Sequence, residues 1–236
     1  MKRVFCVIAL AAFCAAGTLT AGNILVFEDY VLGTSAIPGA LTLWGGCGTC
    51  TTTTDSANFN TLLAAGGWDV VIYAEQDSGT YSSSAAELTT YVSGGGKLIG
   101  QTWLTGGLDA LLQASFASQN GSSITTDGNP VFAGLGATIN LSNPGWGIFS
   151  EGWNPVDGAV GIGSLDSGGS AIILGNSGST YLNAPLTDTY SPTSDGERLL
   201  ANEIGQLTGG TGVPEPATFV GLGIGLAVLA IRRFRG

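Results

Sequence analysis

The chain has 236 residues, with 17 acidic and 7 basic side chains, a formal net charge of −10 and no histidine. The missing histidine removes the commonest general base and metal ligand, and with them any Cys-His-acid triad. Five of the seven basic residues (Lys2, Arg3, Arg232, Arg233 and Arg235) lie at the two ends, leaving Lys97 and Arg198 against sixteen carboxylates between Gly22 and Gly212, a formal charge of −14 that repels nucleic acid and anionic surfaces.

In chain order, Lys2-Arg3, the apolar run Val4 to Ala16 and the small residues up to Ala21 have the three regions of a secretory signal peptide over residues 1–21. Cleavage is expected after Ala21, with Gly17 as an alternative end, because Leu19 is only a tolerable −3 residue. Cys14 does not read as a lipoprotein cysteine, since the bulky Phe13 precedes it. Between the two ends about 190 residues remain, enough for one domain with a sizeable core, expected over 22–208 with a linker at 209–212.

Asn23 to Phe27, Asp69 to Tyr73 and Lys97 to Ile99 centre on short unbroken apolar runs, the pattern of strands buried on both faces of a parallel sheet. Val160 to Ile162 and Ala171 to Leu174 read as further strands. Asp55 caps a predicted helix with Phe59, Leu62 and Leu63 on one face, stopped by Gly66-Gly67. Ser84-Ala85-Ala86-Glu87 has capping-box spacing and predicts a helix burying Ala85, Leu88 and Val92 before Gly94-Gly95-Gly96. Leu108, Leu111, Leu112 and Phe116 predict a third apolar stripe, and Ser194-Asp195-Gly196-Glu197 a second capping box opening a helix with Leu200, Ile204 and Leu207. Ser122 to Trp153 reads as irregular or antiparallel structure. Strands alternating with helices predict a three-layer α/β sandwich on a mostly parallel sheet, of flavodoxin or amidotransferase type.

Three segments carry a family resemblance. Trp68-Asp69-Val70-Val71-Ile72, Tyr91 to Gly100 with its Gly94-Gly95-Gly96-Lys97, and Asn129 to Leu135 resemble the class I glutamine-amidotransferase-like fold, particularly its trehalose-utilisation (ThuA-like) branch. The resemblance implies a fold. The amidotransferase activity is excluded by the absence of histidine, and no Gly-x-Ser-x-Gly or Gly-x-Cys-x-Gly elbow follows a predicted strand.

The tail resembles a second family. Val213-Pro214-Glu215-Pro216 is rigid and short of backbone donors, Ala217 to Ile231 carries no charge, and Arg232-Arg233-Phe234-Arg235 closes the sequence in the basic tail 232–236. In order and position these parts resemble the PEP-CTERM sorting signal of exported bacterial proteins. That resemblance implies recognition by an exosortase, a membrane protease-transpeptidase, acting near the Pro-Glu-Pro motif, and a transmembrane helix over 217–231 before processing. Read without it, fifteen uncharged residues fall short of the roughly 20 that span a bilayer squarely, and the segment could be a buried terminal helix.

Candidate sites come from the remaining chemistry. Cys47 and Cys50 are the only cysteines after Ala21; outside the cytoplasm they predict a local disulfide pinning a glycine-rich loop, with a redox pair as the alternative. Ligands of open parallel sheets bind beyond the carboxyl ends of the strands. Those ends carry Glu28 and Asp29, then Glu75, Gln76 and Asp77, then Gln101, Thr102 and Trp103. Convergence of Glu28, Asp29, Glu75 and Asp77 would offer oxygens for Ca²⁺, though no cofactor is required, or a carboxylate acid/base pair; otherwise these residues cap helices and bind loop amides. Trp146 and Trp153 could stack on sugars if exposed. Three functions follow: a non-catalytic exported protein of the cell surface or extracellular polysaccharide, an extracytoplasmic Ca²⁺- or carbohydrate-binding module, or a carboxylate-based hydrolase.

Overall fold

The structure, a computed structural model, describes residues 22–209 apart from 78, 144, 146, 148 and 149; the signal peptide, the sorting tail and Trp146 lie outside the described residues. The chain order is β1 (Gly22–Glu28), α1 (Ile37–Trp44), β2 (Cys47–Thr53), α2 (Ser56–Ala65), β3 (Val70–Glu75), α3 (Tyr81–Ser93), β4 (Leu98–Thr102) and α4 (Leu108–Leu111). It continues with β5 (Ala114–Gln119), β6 (Ser123–Thr125), β7 (Thr138–Asn140), β8 (Glu151–Pro155), β9 (Val160–Leu165), β10 (Ser170–Gly175), β11 (Thr180–Asn183) and α5 (Thr193–Leu207). Among the described residues no helix is long and apolar enough to cross a membrane.

One mixed sheet holds the fold together. Its parallel half has the order β2-β1-β3-β4-β11, and β10, β9, β6 and β7 extend it antiparallel, with β5 and β8 paired off the main path. The expectation of a mostly parallel sheet is therefore corrected. The antiparallel half comes from residues 114–175, whose short strands are joined by turns and loops instead of α-helical crossovers.

The apolar runs in β1 and β3 form central strands as their composition demands: Ile24 to Phe27 and Val70 to Ala74 are fully buried. Helices cover both faces of the parallel half, α1 against α5 on one side and α2 against α3 on the other. Phe59 of α2 fixes the second layer by packing on Phe27 and Tyr73, with ring centroids 5.4 and 5.2 Å away. Phe27 and Tyr73 stack at 4.7 Å. Gly100 in β4 leaves the room into which Leu108 and Leu112 pack, and a Cβ there would collide with Leu112.

The predicted starts of α3 and α5 shift. Ser84 is buried inside α3, which begins at Tyr81, so its capping-box spacing does not mark the helix start; the Glu75 carboxylate instead accepts the first N–H, from Tyr81, at 2.7 Å. Likewise α5 begins at Thr193, one residue before Ser194. Asp55 does cap α2, accepting from the Asn58 N–H at 2.6 Å. The third stripe breaks after Leu112, and Phe116 lies in β5, 44% exposed. Cys47 and Cys50 are bonded to each other within edge strand β2, Cα atoms 5.9 Å apart, where the register against β1 skips Gly48; the pair pins a bulged strand instead of a loop.

Beneath α5 lies a carboxyl group with no compensating charge. Glu203 is fully buried and accepts from Asn183 Nδ2 at 2.9 Å, while its other oxygen, Asn183 Oδ1 and the Tyr190 hydroxyl have no partner. Burial pushes the Glu203 carboxyl up to about 8, against the opposing pull of the Asn183 bond. The unfolded chain releases this proton near the ordinary value of 4.5, so between the two values the folded state binds more protons and stability falls as pH rises. Glu28, Glu75 and Glu151, also raised by burial, add to the slope. Melting temperatures of wild type should drop between pH 5.5 and 8, and Glu203→Gln should flatten that drop by several degrees; an unchanged slope would show that Glu203 titrates as it does when unfolded.

Candidate carboxyl-edge site

The order β2-β1-β3-β4-β11 places a topological switch point between β1 and β3, where neighbouring crossovers run to opposite sides and leave a crevice at the carboxyl ends. Glu28 closes β1 and Glu75 closes β3. Their register decides what they can do together. Glu28 pairs with Ala74, so Glu75, one residue further, points to the opposite face of the sheet.

The contacts follow that parity. Glu28 Oε1 accepts from Ser35 Oγ at 2.8 Å and Thr187 Oγ1 at 2.5 Å, on the side of α1 and α5. Glu75 accepts from the Tyr81 N–H and, at 2.8 Å, from Thr102 Oγ1, on the side of α3. Burial raises the Glu28 carboxyl, opposed by the Thr187 and Ser35 bonds, and raises Glu75, opposed by the Tyr81 and Thr102 bonds. Asp29 serves the loop between them: its Oδ1 accepts from the Gln76 N–H at 2.6 Å and its Oδ2 from Thr80 Oγ1 at 3.1 Å. Asp77 is exposed, its N–H reaching Asp29 at 3.3 Å. Glu28 and Glu75 thus stand on opposite faces of the sheet, with the charge of Asp29 acting on both, and Glu28, Asp29 and Glu75 bind loop amides and hydroxyls, the alternative expected for them. Among the described residues no group of three or more histidine, cysteine, aspartate or glutamate side chains could hold a metal ion.

The centre of the crevice is Gln76, fully buried. Its Nε2 donates to the Tyr30 carbonyl at 2.5 Å, and its Oε1 accepts from the Thr187 N–H at 2.9 Å, joining the loop after β1 to the segment after β11. Asp188 extends the seam, accepting from the Leu32 and Gly33 N–H groups at 2.8 and 2.9 Å and from Asn143 Nδ2 at 2.9 Å. Thr187 and Asp188 were not legible as site residues, because only the return of β11 to the parallel sheet brings them here.

At the end of β4, Gln101 and Thr102 are buried, with both amide atoms of Gln101 unpartnered, and Trp103 just beyond is half-buried. Sequence reasoning also missed a second pair of buried carboxyl groups. Asp109 accepts from the Gly106 and Gly107 N–H groups at 3.0 and 2.7 Å. Glu151, whose Oε2 is buried without a partner, is pushed up to about 7, first by burial and then by the charge of Asp109. Trp153, a candidate sugar platform, is fully buried and closed to a ligand.

Comparison with known proteins separates the tail from the domain. Residues 212–235 match the PEP-CTERM protein-sorting motif. The chain carries a PEP-CTERM sorting signal. This motif is the mark of an exported protein, and it lies wholly beyond the described domain. No curated protein matches the chain in sequence. The domain is similar in fold to a glutamine amidotransferase of Thermotoga maritima, with a TM-score of 0.55 and 8% identity over 80% of this chain and 98% of that one. A ThuA-like protein of Parabacteroides merdae aligns with a TM-score of 0.50 and 9% identity over 84% and 92% of the two chains. A protein of Thermoplasma acidophilum assigned to GMP synthase gives 0.52 and 12% over 80% and 95%. These likenesses give the domain an amidotransferase-like fold and extend no further, since function resides in the site and not the fold.

The seam makes the two edge residues differ sharply. Gln76→Ala leaves the buried Thr187 N–H without its acceptor and should cost about 1–3 kcal/mol in urea unfolding. Asp77→Asn should stay within about 0.5 kcal/mol of wild type. Equal effects would mean that Gln76 is not the link.

Proposed function

We propose that this protein is an exported, exosortase-sorted component of the cell surface or extracellular matrix, with no catalytic activity of its own. The observation that carries the reading is the sorting motif at residues 212–235. In this account the signal peptide directs export and is removed near Ala21. Translocation then halts at the apolar segment 217–231, with Arg232, Arg233 and Arg235 on the cytoplasmic side and the domain outside. Pro214 and Pro216 withdraw backbone donors and resist helix, so the motif stays extended for the protease at the outer boundary. After processing the domain stays at the surface or among extracellular polysaccharide.

The carboxyl-edge chemistry supports a non-catalytic reading over the hydrolase and the Ca²⁺ or carbohydrate module. Glu28, Asp29 and Glu75 are engaged with loop amides and hydroxyls, and Glu28 and Glu75 face opposite sides of the sheet. A disulfide between Cys47 and Cys50 in the mature protein fits an oxidising compartment.

Two tail variants test the proposal in a host that has the sorting enzyme. Pro214→Ala with Pro216→Ala should leave an uncleaved, membrane-held precursor, and replacing Arg232, Arg233 and Arg235 by Gln should impair retention or processing. If fractionation finds wild type and both variants with the same mature mass and location, the tail is not being read as a sorting signal.

A further inference from the structure

The two ends of the parallel strands differ in charge, and the sorting tail leaves from one of them. Tyr181, near the start of β11, donates its hydroxyl to Gln206 at 3.1 Å, whereas Asn183 at the end of β11 reaches Glu203, so α5 runs antiparallel to β11 and its last turn arrives at the amino edge of the sheet. Gly209 follows that turn directly, its N–H bonded to the Gln206 carbonyl. Only three residues then separate Gly209 from Val213, the first residue of the Pro-Glu-Pro segment, and eight residue steps lead from Gly209 to Ala217, where the apolar segment begins. Fully extended, those eight steps reach about 28 Å.

The carboxylates are distributed unevenly about this exit. Glu28, Asp29, Asp55, Glu75, Asp77 and Asp188 lie at or just beyond the carboxyl ends of the parallel strands. The amino ends carry Asp69 just ahead of β3 and Lys97, the domain's single lysine, just ahead of β4. A seven-residue strand such as β1 spans roughly 23 Å, more than two Debye lengths at physiological salt. Charges at the far edge are therefore screened from anything held against the near one.

We propose that, while the tail holds the precursor in the membrane, the amino edge of the parallel sheet is the face presented to anionic lipid headgroups, and the acidic carboxyl edge with its crevice faces away. The inference rests on the tail-anchored precursor described above. The tether favours it: turning the carboxyl edge towards lipid would lift Gly209 roughly 23 Å from the surface and stretch the linker to most of its full reach of about 28 Å, a loss of chain freedom that the opposite orientation avoids. Charge favours the same orientation, because the near edge sets Lys97 against Asp69 and the exposed Asp157 of the turn before β9, whereas the far edge would add six carboxylates to an anionic surface.

The test uses the full-length precursor in vesicles of phosphatidylglycerol and phosphatidylethanolamine that carry an energy acceptor on a headgroup. A donor dye is attached through a non-natural amino acid, which spares the disulfide, at exposed Ser93 ending α3 on the amino edge, or at exposed Thr105 beyond β4 on the carboxyl edge. Transfer should be severalfold more efficient from position 93 than from 105, and inserting ten Gly-Ser residues after Gly209 should shrink that contrast. Equal transfer from the two positions, or stronger transfer from 105, overturns the orientation. Failure of the precursor to float with vesicles overturns the anchored state itself, and the orientation with it; flotation is scored separately, so the two failures are distinguishable.

Discussion

The side-chain amide of Gln76 is the constraint on which the carboxyl edge depends. This sheet is built out of sequence order: after β4 the chain leaves for nearly eighty residues of mostly antiparallel structure before β11 returns to complete the parallel half. Something must fasten the returning segment to strands laid down more than a hundred residues earlier. Gln76 does so in a buried setting, bonding the Tyr30 carbonyl on one side and the Thr187 N–H on the other, while Glu28 takes the Thr187 hydroxyl. At the place where an open α/β sheet usually receives a ligand, Glu28, Asp29, Glu75 and Gln76 are bonded to the protein's own loops. Such a seam gains its strength from being fully satisfied, since each unpaired group in it would carry a full desolvation cost.

What could be read from the sequence divides along the same line. β1, β3 and β4 are legible because a strand buried on both faces must be an unbroken apolar run, and α2 because Asp55 stands where a capping side chain is needed. β2 was hidden: its Cys47-Gly48-Thr49-Cys50-Thr51-Thr52-Thr53 is polar, as an exposed edge strand can be, and reads as loop. β11 is four residues long, and only its pairing with β4 and β10 identifies it. The capping-box spacing misled at Ser84 because Glu75, on the preceding strand, had already supplied the acceptor for the start of α3. Register explains the largest difference. Glu28 and Glu75 both end strands, but nothing local in the sequence says that they stand on opposite faces.

Structure and tail thus speak to different levels of function. The fold is shared with amidotransferase-like and ThuA-like proteins, yet a chain without histidine cannot run a Cys-His-acid mechanism on it. The most specific functional information lies in residues 212–235, which make the chain a sorted cargo. α5 ends at the amino edge of the parallel sheet, so the sorting tail follows from the edge opposite the acidic one.

The intact mass of the protein recovered from the cell surface tests the central claim most directly. Sorting through the tail predicts a polypeptide that begins near Gly22 and ends close to Pro214-Glu215-Pro216, without the apolar segment, and gains two mass units on reduction as the Cys47–Cys50 bond opens. A surface protein whose mass still includes residues 217–236 would contradict it.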